Sequence, residues 1–293
     1  MAEFALEHAG RRAAWKALTS AALVAVFSAM ASCNPAVERI TTFPDGSPWT
    51  RIQLRNGQLH GQTETWYASG SPRSAAQFYR GRPEGEWSTW HANGQLEATG
   101  SHRLGSPDGP WNVYSPAGTL VVSETFVAGL REGLRVFRSP GGQLLALENQ
   151  RNGKREGIRL QFNSTEQVIQ EDHFLEDVAD GRLRRWDDEG HLIEVVNMSG
   201  GLQDGPHILF WPGGQKLAQG QLTRGVRVGP WFVWTKEGVL GQLSGVYAEG
   251  ERTEALGAQD LAREQAVLQD RILANHAAPL LPEGIELQRS SER

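Results

Sequence analysis

The sequence is poor in cysteine, in surplus positive charge and in hydrophobic residues. Its 293 residues contain one cysteine, which excludes an intramolecular disulfide and a cysteine cluster around a metal ion. Because 29 Lys and Arg face 34 Asp and Glu, the net charge is −5 and no cationic excess is available to neutralise phosphates. Nucleic acid is therefore not expected as a partner. Hydrophobic residues make up only 39% of the chain, which excludes a bundle of membrane-spanning helices.

Motifs for catalysis and metal binding are also missing. The eight histidines are scattered, and the sequence contains no HExxH pair, no G-x-S-x-G elbow, no P-loop and no dinucleotide-binding fingerprint. The carboxylates of Glu171, Asp172, Asp187 and Asp188 could form an acidic pair, but solvated strands and turns explain them more simply. We therefore expect a protein that is not an enzyme and that needs no cofactor and no metal ion.

The longest apolar run lies near the amino end. Arg11, Arg12 and Lys16 precede residues 17–31, a stretch with the length of a signal-peptide core. A bilayer-spanning helix needs about 20 apolar residues, so this run is too short to span comfortably. The pattern predicts export.

The run ends in Met-Ala-Ser-Cys at residues 30–33, which resembles the lipobox of bacterial lipoproteins. This resemblance implies a signal peptide over residues 1–32, a lipid attached to the sulfur of Cys33 and a tether over residues 33–42. Asn34 implies transport to the outer membrane in a diderm bacterium, because Asp at this place retains such lipoproteins in the inner membrane. The alternative is that Cys33 is an ordinary buried thiol beside a secretory cleavage site. Its position at the end of the apolar run favours the lipid.

Glycine recurs with a period of 24 residues. The first series is Gly61, Gly85, Gly109, Gly133, Gly157, Gly181, Gly205 and Gly229. Two further series, four residues before and nine residues after the first, keep the same period, so that glycine fills 22 of 24 places. Asp177 and Glu166 fill the other two, and Gly46 indicates a leading half-repeat that starts near Phe43. A fixed period of this length is typical of a repeat protein.

Each 24-residue unit predicts a β-hairpin. Segments such as residues 86–94 are rich in aromatic residues and end in a turn, and the return segment alternates with period two. Asn93-Gly94 predicts a two-residue turn because both residue types tolerate a positive φ, and Gly141-Gly142 and Gly213-Gly214 are interpreted in the same way. The Gly-x-x-x-Gly segments, such as residues 81–85, are predicted to be polar loops between units.

These units resemble the bacterial variant of the MORN repeat, which has the approximate pattern G-x-W-x-x-[WY]-x-x-x-G-x-L. Residues 85–96 and 229–240 fit every defined position, and other units depart from it at one or both aromatic places. The resemblance implies an all-β fold, an elongated repeat meander of tandem β-hairpins over residues 43–250. It also implies a binding or scaffolding role, and some members of this MORN-like family are named antitoxins.

The glycine period ends near residue 250. From Thr253 to His276 the chain is rich in Ala, Gln, Glu and Arg, and apolar residues recur at helical spacing. These apolar residues are Ala258, Leu261, Leu268 and Ile272. We interpret residues 251–293 as a C-terminal helix that caps the last hairpin, followed by a tail. The alternative is that the helix binds a partner.

Paired aromatic residues are the candidate binding residues. The pairs are Trp87 with Trp90, Trp111 with Tyr114, and Trp231 with Trp234. A spacing of three residues places the two members on opposite faces of a regular strand. The second place is aromatic in most units and the first place varies, so Trp234 is expected to be structural, whereas Trp87, Trp111 and Trp231 are candidate exposed residues. The alternative is that both members of each pair pack.

Together these patterns predict a lipid-anchored binding or scaffolding protein of the bacterial cell envelope. Its expected partners are an envelope protein or a glycan, and the membrane through the lipid on Cys33. One alternative is a cell-wall or glycan-binding module that uses exposed aromatic residues. The period of 24 residues is longer than the roughly 20-residue units of choline-binding and glycan-binding repeats, which disfavours that alternative. Another is an antitoxin-like protein, which only the names of relatives suggest and which export disfavours.

Overall fold

The computed structural model describes residues 35–257 together with residues 259, 260 and 263. Residues 37–255 form one open antiparallel sheet of 22 strands, and strand pairing follows the order of the chain. The predicted all-β hairpin meander is thereby confirmed. Both the signal peptide predicted over residues 1–32 and Cys33 lie outside the described residues.

The strands are numbered in chain order. They are β1 (Val37–Thr42), β2 (Pro48–Arg55), β3 (Gln58–Trp66), β4 (Pro72–Tyr79), β5 (Arg82–Trp90), β6 (Leu96–Arg103), β7 (Ser106–Pro107), β8 (Gly109–Tyr114), β9 (Leu120–Val127), β10 (Leu130–Arg131), β11 (Gly133–Arg138), β12 (Leu144–Arg151), β13 (Lys154–Phe162), β14 (Val168–Leu175), β15 (Val178–Ala179), β16 (Gly181–Trp186), β17 (Leu192–Ser199), β18 (Leu202–Phe210), β19 (Lys216–Thr223), β20 (Val226–Val233), β21 (Gly245–Ala248) and β22 (Glu251–Ala255).

At one end of the strands, the connections are two-residue turns, which we call the tight turns. Asn56 and Gly57 join β2 to β3 with φ of 52° and 74°, the signature of a type I′ turn. The same geometry recurs in each later unit, so the prediction that the Gly-x-x-x-Gly segments are loops between units is wrong. In residues 81–85, Gly81 closes a tight turn and the other four residues belong to β5. Pairing continues through these segments, which leaves their backbone hydrogen bonds satisfied.

At the opposite end of the strands, the connections are longer loops. Between β5 and β6, His91 N–H donates to the Gln95 carbonyl at 2.8 Å and Gly94 N–H donates to the His91 carbonyl at 2.9 Å. Of these residues only Gly94 has a positive φ, 85°, which defines a type I turn followed by a glycine bulge. The two-residue turn predicted at Asn93-Gly94 is therefore wrong. A register shift after Thr89 accommodates the extra loop residue.

Acidic side chains connect successive hairpins at the end of the strands where the tight turns lie. Glu84 accepts the backbone N–H of Leu104 at 2.7 Å, and Asp108 accepts that of Ala128 at 3.1 Å. The equivalent pairs are Glu132 with Asn152, Glu156 with Glu176, Asp180 with Gly200, and Asp204 with Arg224. The acceptor always lies 20 residues before the first residue of the turn. Each hairpin thus holds the turn of the next one through a charge-assisted hydrogen bond.

Two turns keep the repeat conformation without glycine. Asp177 and Glu166 stand at glycine places and still adopt positive φ, 72° and 60°. Residues other than glycine rarely adopt a positive φ without compensation. Here each carboxylate accepts a backbone N–H of the preceding unit, Asp177 from Arg155 at 2.9 Å and Glu166 from Leu144 at 2.8 Å. Hydrogen bonds between units therefore offset the strain.

Both ends of the sheet extend beyond the predicted boundaries. Strand β1 occupies most of the predicted tether over residues 33–42, because Val37–Thr42 pairs with β2. At the other end, β22 pairs with β21, so the helix predicted from Thr253 begins later than expected. Residues 259, 260 and 263 are helical, and most of that predicted helix lies outside the described residues. Among the described residues, no helix is long and apolar enough to cross a membrane.

Hydrophobic clusters form on both faces of the sheet. Face A is the face that carries the cluster of Leu183, Val196, Ala218, Leu222, Trp231 and Tyr247. Face B carries two clusters, one of Val195, Ile208, Phe210, Phe232 and Trp234 and the other of Leu144, Leu147, Leu160 and Phe162. Neighbouring hairpins supply each cluster, so stability accumulates from contacts between adjacent units, as in other repeat proteins.

Candidate functional site

The two aromatic residues of the last unit lie on opposite faces, as their spacing predicts, and both are buried. Trp231 on face A is 1% exposed and Trp234 on face B is 8% exposed. The exposure predicted for Trp231 is therefore wrong. Its indole meets the edges of His207 and Tyr247 at 5.9 Å and 6.5 Å between ring centroids, and its Nε1 donates to the Gln221 carbonyl at 2.9 Å. Trp231 is thus part of the packing rather than a binding surface.

Gly220 makes room for the indole of Trp231. The two residues lie on adjacent strands of face A, and a Cβ atom built on Gly220 would overlap the indole ring. Gly220 does not have a positive φ, so its role is steric. The sequence offered one signal for this arrangement, because the equivalent Gly100 lies under the equivalent Trp111 in the same way.

We expect Gly220→Ala to lower the free energy of unfolding by about 1–3 kcal/mol, because the added methyl group must displace a fully packed indole. Chemical denaturation followed by tryptophan fluorescence measures this loss. Gly141→Ala is the matched control, since Gly141 also lacks a positive φ and its nearest potential contact is 3.6 Å away. Equal stability of the two variants would contradict the steric role of Gly220.

Trp87 and Trp111 stack on each other. Their ring centroids are 5.0 Å apart with an interplanar angle of 21°, and both side chains are half-buried. His102 and Phe126 contact Trp111 edge-on at 5.4 Å and 5.7 Å. Stacking against a neighbour occupies one ring face of each tryptophan and stabilises the contact between two units. This geometry favours packing over a free aromatic platform.

A row of alternating charges replaces the aromatic residues in the middle of face A. Glu124 contacts Arg131 and Arg135 at 2.7 Å and 2.8 Å, and Glu148 contacts Arg135 and Arg159 at 3.3 Å and 3.8 Å. The carboxylates of Glu124 and Glu148 are buried. Each therefore lies between two guanidinium groups, which compensates for the cost of burying its charge. This row of charges was not predicted from the sequence.

Face B contains a buried ion pair within its apolar row. Arg184 Nη2 lies 2.6 Å and 2.8 Å from the two carboxylate oxygens of Glu171, and these side chains are 7% and 2% exposed. His173 Nε2 lies 3.1 Å from the same carboxylate. Burial on its own would raise the pKa of Glu171, but hydrogen bonds from His173 and Arg184 hold it below the ordinary value. The ionised pair is therefore the folded form at neutral pH.

Asp187, Glu189 and His191 form a group that places three potential metal ligands within 4.8 Å of one another. The group lies in the loop between β16 and β17. Asp187 Oδ1 accepts the backbone N–H groups of Glu189 and His191 at 3.2 Å and 2.8 Å, so this carboxylate shapes the loop. Exposed acidic loops of this kind are common without an ion, and the group supports no assignment of a metal site.

Comparison with known proteins identifies one repeat type. The family model of the MORN repeat variant matches residues 83–103, which span β5 and β6, so the chain contains a MORN-type repeat there. Such a repeat suggests a binding or scaffolding role. No curated protein matches the chain.

Among solved structures, the chain is similar to a chain of the Tc holotoxin pore of Photorhabdus luminescens at 12% identity. The similarity covers 74% of this chain and 13% of that chain. The chain therefore spans a small fraction of that protein's length. The TM-score of 0.20 is too low to relate the two folds.

Proposed function

We propose that this chain is a non-catalytic binding or scaffolding protein of the bacterial cell envelope, anchored by a lipid on Cys33. The observation that carries the binding role is the repeated sheet itself. Equivalent residue positions recur along the sheet every 24 residues over eight units, and one of these units matches the MORN repeat variant. A surface of this kind offers a partner many equivalent contacts along one axis.

Protein rather than glycan is the favoured partner class. Sugar rings stack on exposed aromatic faces, whereas Trp231 is buried and Trp87 stacks on Trp111. The aromatic residues on which the glycan hypothesis rested therefore support packing between units. Anchoring rests on a separate observation, the place of the single cysteine at the end of the apolar run.

We expect Cys33→Ser to abolish incorporation of an alkyne-labelled fatty acid in a bacterial expression host and to leave either an uncleaved precursor or a soluble product. The reason is that the thioether to the lipid forms only on that sulfur. In-gel fluorescence after click labelling, together with fractionation, measures both effects. Ser28→Ala is the control because it alters the same segment and keeps the sulfur. Labelling that persists in Cys33→Ser would refute the anchor.

A further inference from the structure

Side chains that flank three successive tight turns form an exposed strip along one edge of face B. We call this the turn-margin strip. Its members are Val127, Leu130, Arg151, Lys154, Leu175 and Val178. In each turn the two flanking residues are direct cross-strand partners, so they point to the same side of the sheet. The strip therefore alternates between an apolar pair, a cationic pair and a second apolar pair.

The strand pairings place the strip on face B. Arg151 follows Leu147 by four residues on β12, and Leu175 follows Glu171 by four residues on β14. Glu171 pairs with Leu160, and Leu147 and Leu160 belong to the buried row of face B. Because side chains an even number of residues apart share a face, Arg151 and Leu175 lie on face B as well. The apolar pair of the preceding hairpin occupies the same position one period earlier.

The apolar members of the strip are solvent-exposed. Val127 and Leu130 are 55% and 50% exposed, and Leu175 and Val178 are 55% and 44% exposed. Leu130 also lies beside the next turn, since a Cβ atom added to Gly153 would be 3.4 Å from its Cδ2. Apolar residues that are exposed as pairs on nearby hairpins, rather than singly, favour an interaction surface.

The cationic members of the strip have weak partners. Lys154 Nζ lies 3.1 Å from Glu176, and Arg151 Nη1 lies 4.0 Å from Glu156. Arg151 and Lys154 are 69% and 52% exposed. Exposed ion pairs of this kind contribute little to stability, so these cations can exchange their partners for an incoming carboxylate.

The spacing of the strip matches one kind of peptide. Two strands about 4.8 Å apart give a hairpin spacing of roughly 9.6 Å. A polyproline II segment has three residues per turn and a rise of about 3.1 Å, so every third side chain points the same way at intervals of roughly 9.3 Å. A polyproline II segment with an apolar, an acidic and an apolar residue at every third position therefore places these side chains over three successive hairpins.

We propose that the turn-margin strip binds an extended, polyproline II segment of a partner protein with an acidic residue three positions from apolar residues on either side. This proposal rests on the proposed binding role and specifies its ligand. A polyproline II segment is already extended before it binds, so it loses little conformational entropy on recognition.

Charge and position favour a protein segment over a lipid surface. The outermost residues of the sixth tight turn are Glu176 and Asp177, whose side chains are 72% and 49% exposed. An anionic bilayer at this edge would be repelled by both carboxylates. The strip lies beside the turns on face B, where the carboxylate of a bound peptide replaces Glu176 as the partner of Lys154.

The test uses the whole chain and a fluorescein-labelled peptide, Leu-Pro-Pro-Glu-Pro-Pro-Leu, followed by fluorescence anisotropy. We expect binding at least about 10-fold tighter than that of two control peptides, one with Lys in place of Glu and one with an additional Pro in each spacer, since a tenfold change corresponds to about 1.4 kcal/mol. The first control reverses the charge, and the second breaks the three-residue period.

Matched variants assign the binding to the strip. Leu130→Ser is expected to weaken binding about 10-fold, whereas Leu145→Ser, a change at an exposed leucine near the opposite end of β12, leaves it unchanged. The double variant Arg151→Glu and Lys154→Glu is expected to prefer the Lys peptide, a reversal that loss of folding cannot produce. Equal binding of all three peptides overturns the proposal. So does retention on phosphatidylglycerol vesicles that the double variant abolishes, which would assign the strip to a membrane. Neither result bears on the anchor at Cys33.

Discussion

Arg184→Ala is expected to lower the free energy of unfolding by about 3–5 kcal/mol, because it leaves the buried carboxylate of Glu171 without its main partner. Glu171 is 2% exposed and pairs directly with Arg184 across β14 and β16. Urea denaturation monitored by circular dichroism measures the effect.

Two matched variants separate the buried charge from general damage. Lys154→Ala removes an exposed ion pair with Glu176 and is expected to cost less than about 1 kcal/mol. The double variant Glu171→Leu and Arg184→Leu is expected to recover most of the stability, because its neighbours in the row are Leu160 and Val195. A double variant that is as unstable as Arg184→Ala would contradict this explanation.

The same pair determines the response of the array to acid. The pKa of Glu171 in the folded state lies below its ordinary value of 4.5, so its contribution to stability is complete above that pH and is lost as the pH falls through the folded pKa. We therefore expect the double Leu variant to lose less stability than the wild type between neutral pH and pH below 4.5. A parallel loss in both proteins would assign acid sensitivity to other groups.

Trp231→Ala is expected to destabilise the carboxyl-terminal hairpins by about 3–5 kcal/mol, because it removes a large and fully buried side chain from the cluster on face A. The indole also donates to the Gln221 carbonyl and lies under the guanidinium of Arg227 at 4.6 Å. Since each hairpin is stabilised by its neighbours, the loss is expected to concentrate in β18 to β22. Hydrogen exchange measured by mass spectrometry resolves that location.

Trp49→Ala is the control for the tryptophan substitution. Trp49 is 38% exposed and lies on β2 at the other end of the sheet. Its replacement is expected to be much milder and to leave exchange in the carboxyl-terminal hairpins unchanged. If Trp231→Ala folds as stably as Trp49→Ala, the burial of Trp231 in solution is refuted.

Turn chemistry illustrates why a local sequence signal was ambiguous. Asn56-Gly57 and Asn93-Gly94 are the same dipeptide, yet the first is a type I′ turn and the second ends a longer loop in which Asn93 has a negative φ. Both conformations suit Asn-Gly. The pairing register of the flanking strands decides between them, and that register depends on contacts with the next hairpin. The sequence therefore predicted where turns occur but not their type.

The buried ion pair and the acidic residues that bind the tight turns were not predicted from the sequence, for a related reason. Glu171 and Arg184 are 13 residues apart, and only the pairing of β14 with β16 shows that they meet in an apolar row. The acidic residues that hold the tight turns were visible as a repeated position before the first glycine series, as in Glu84 and Asp108. Their role required the geometry of the following turn. The apolar pairs of the turn-margin strip were likewise visible only once the turns were placed.

The sequence by itself determined the all-β class, the period and the approximate limits of the array. Glycine recurs in every unit where the backbone adopts a positive φ, and successive side chains of a strand point to opposite faces of the sheet. Both patterns are visible in the local sequence. Only the tertiary structure decided which aromatic residues are buried. Trp231 is covered because Gly220 leaves space beneath it and His207 and Tyr247 close around it. Those residues come from other strands, and their burial depends on which strands become neighbours.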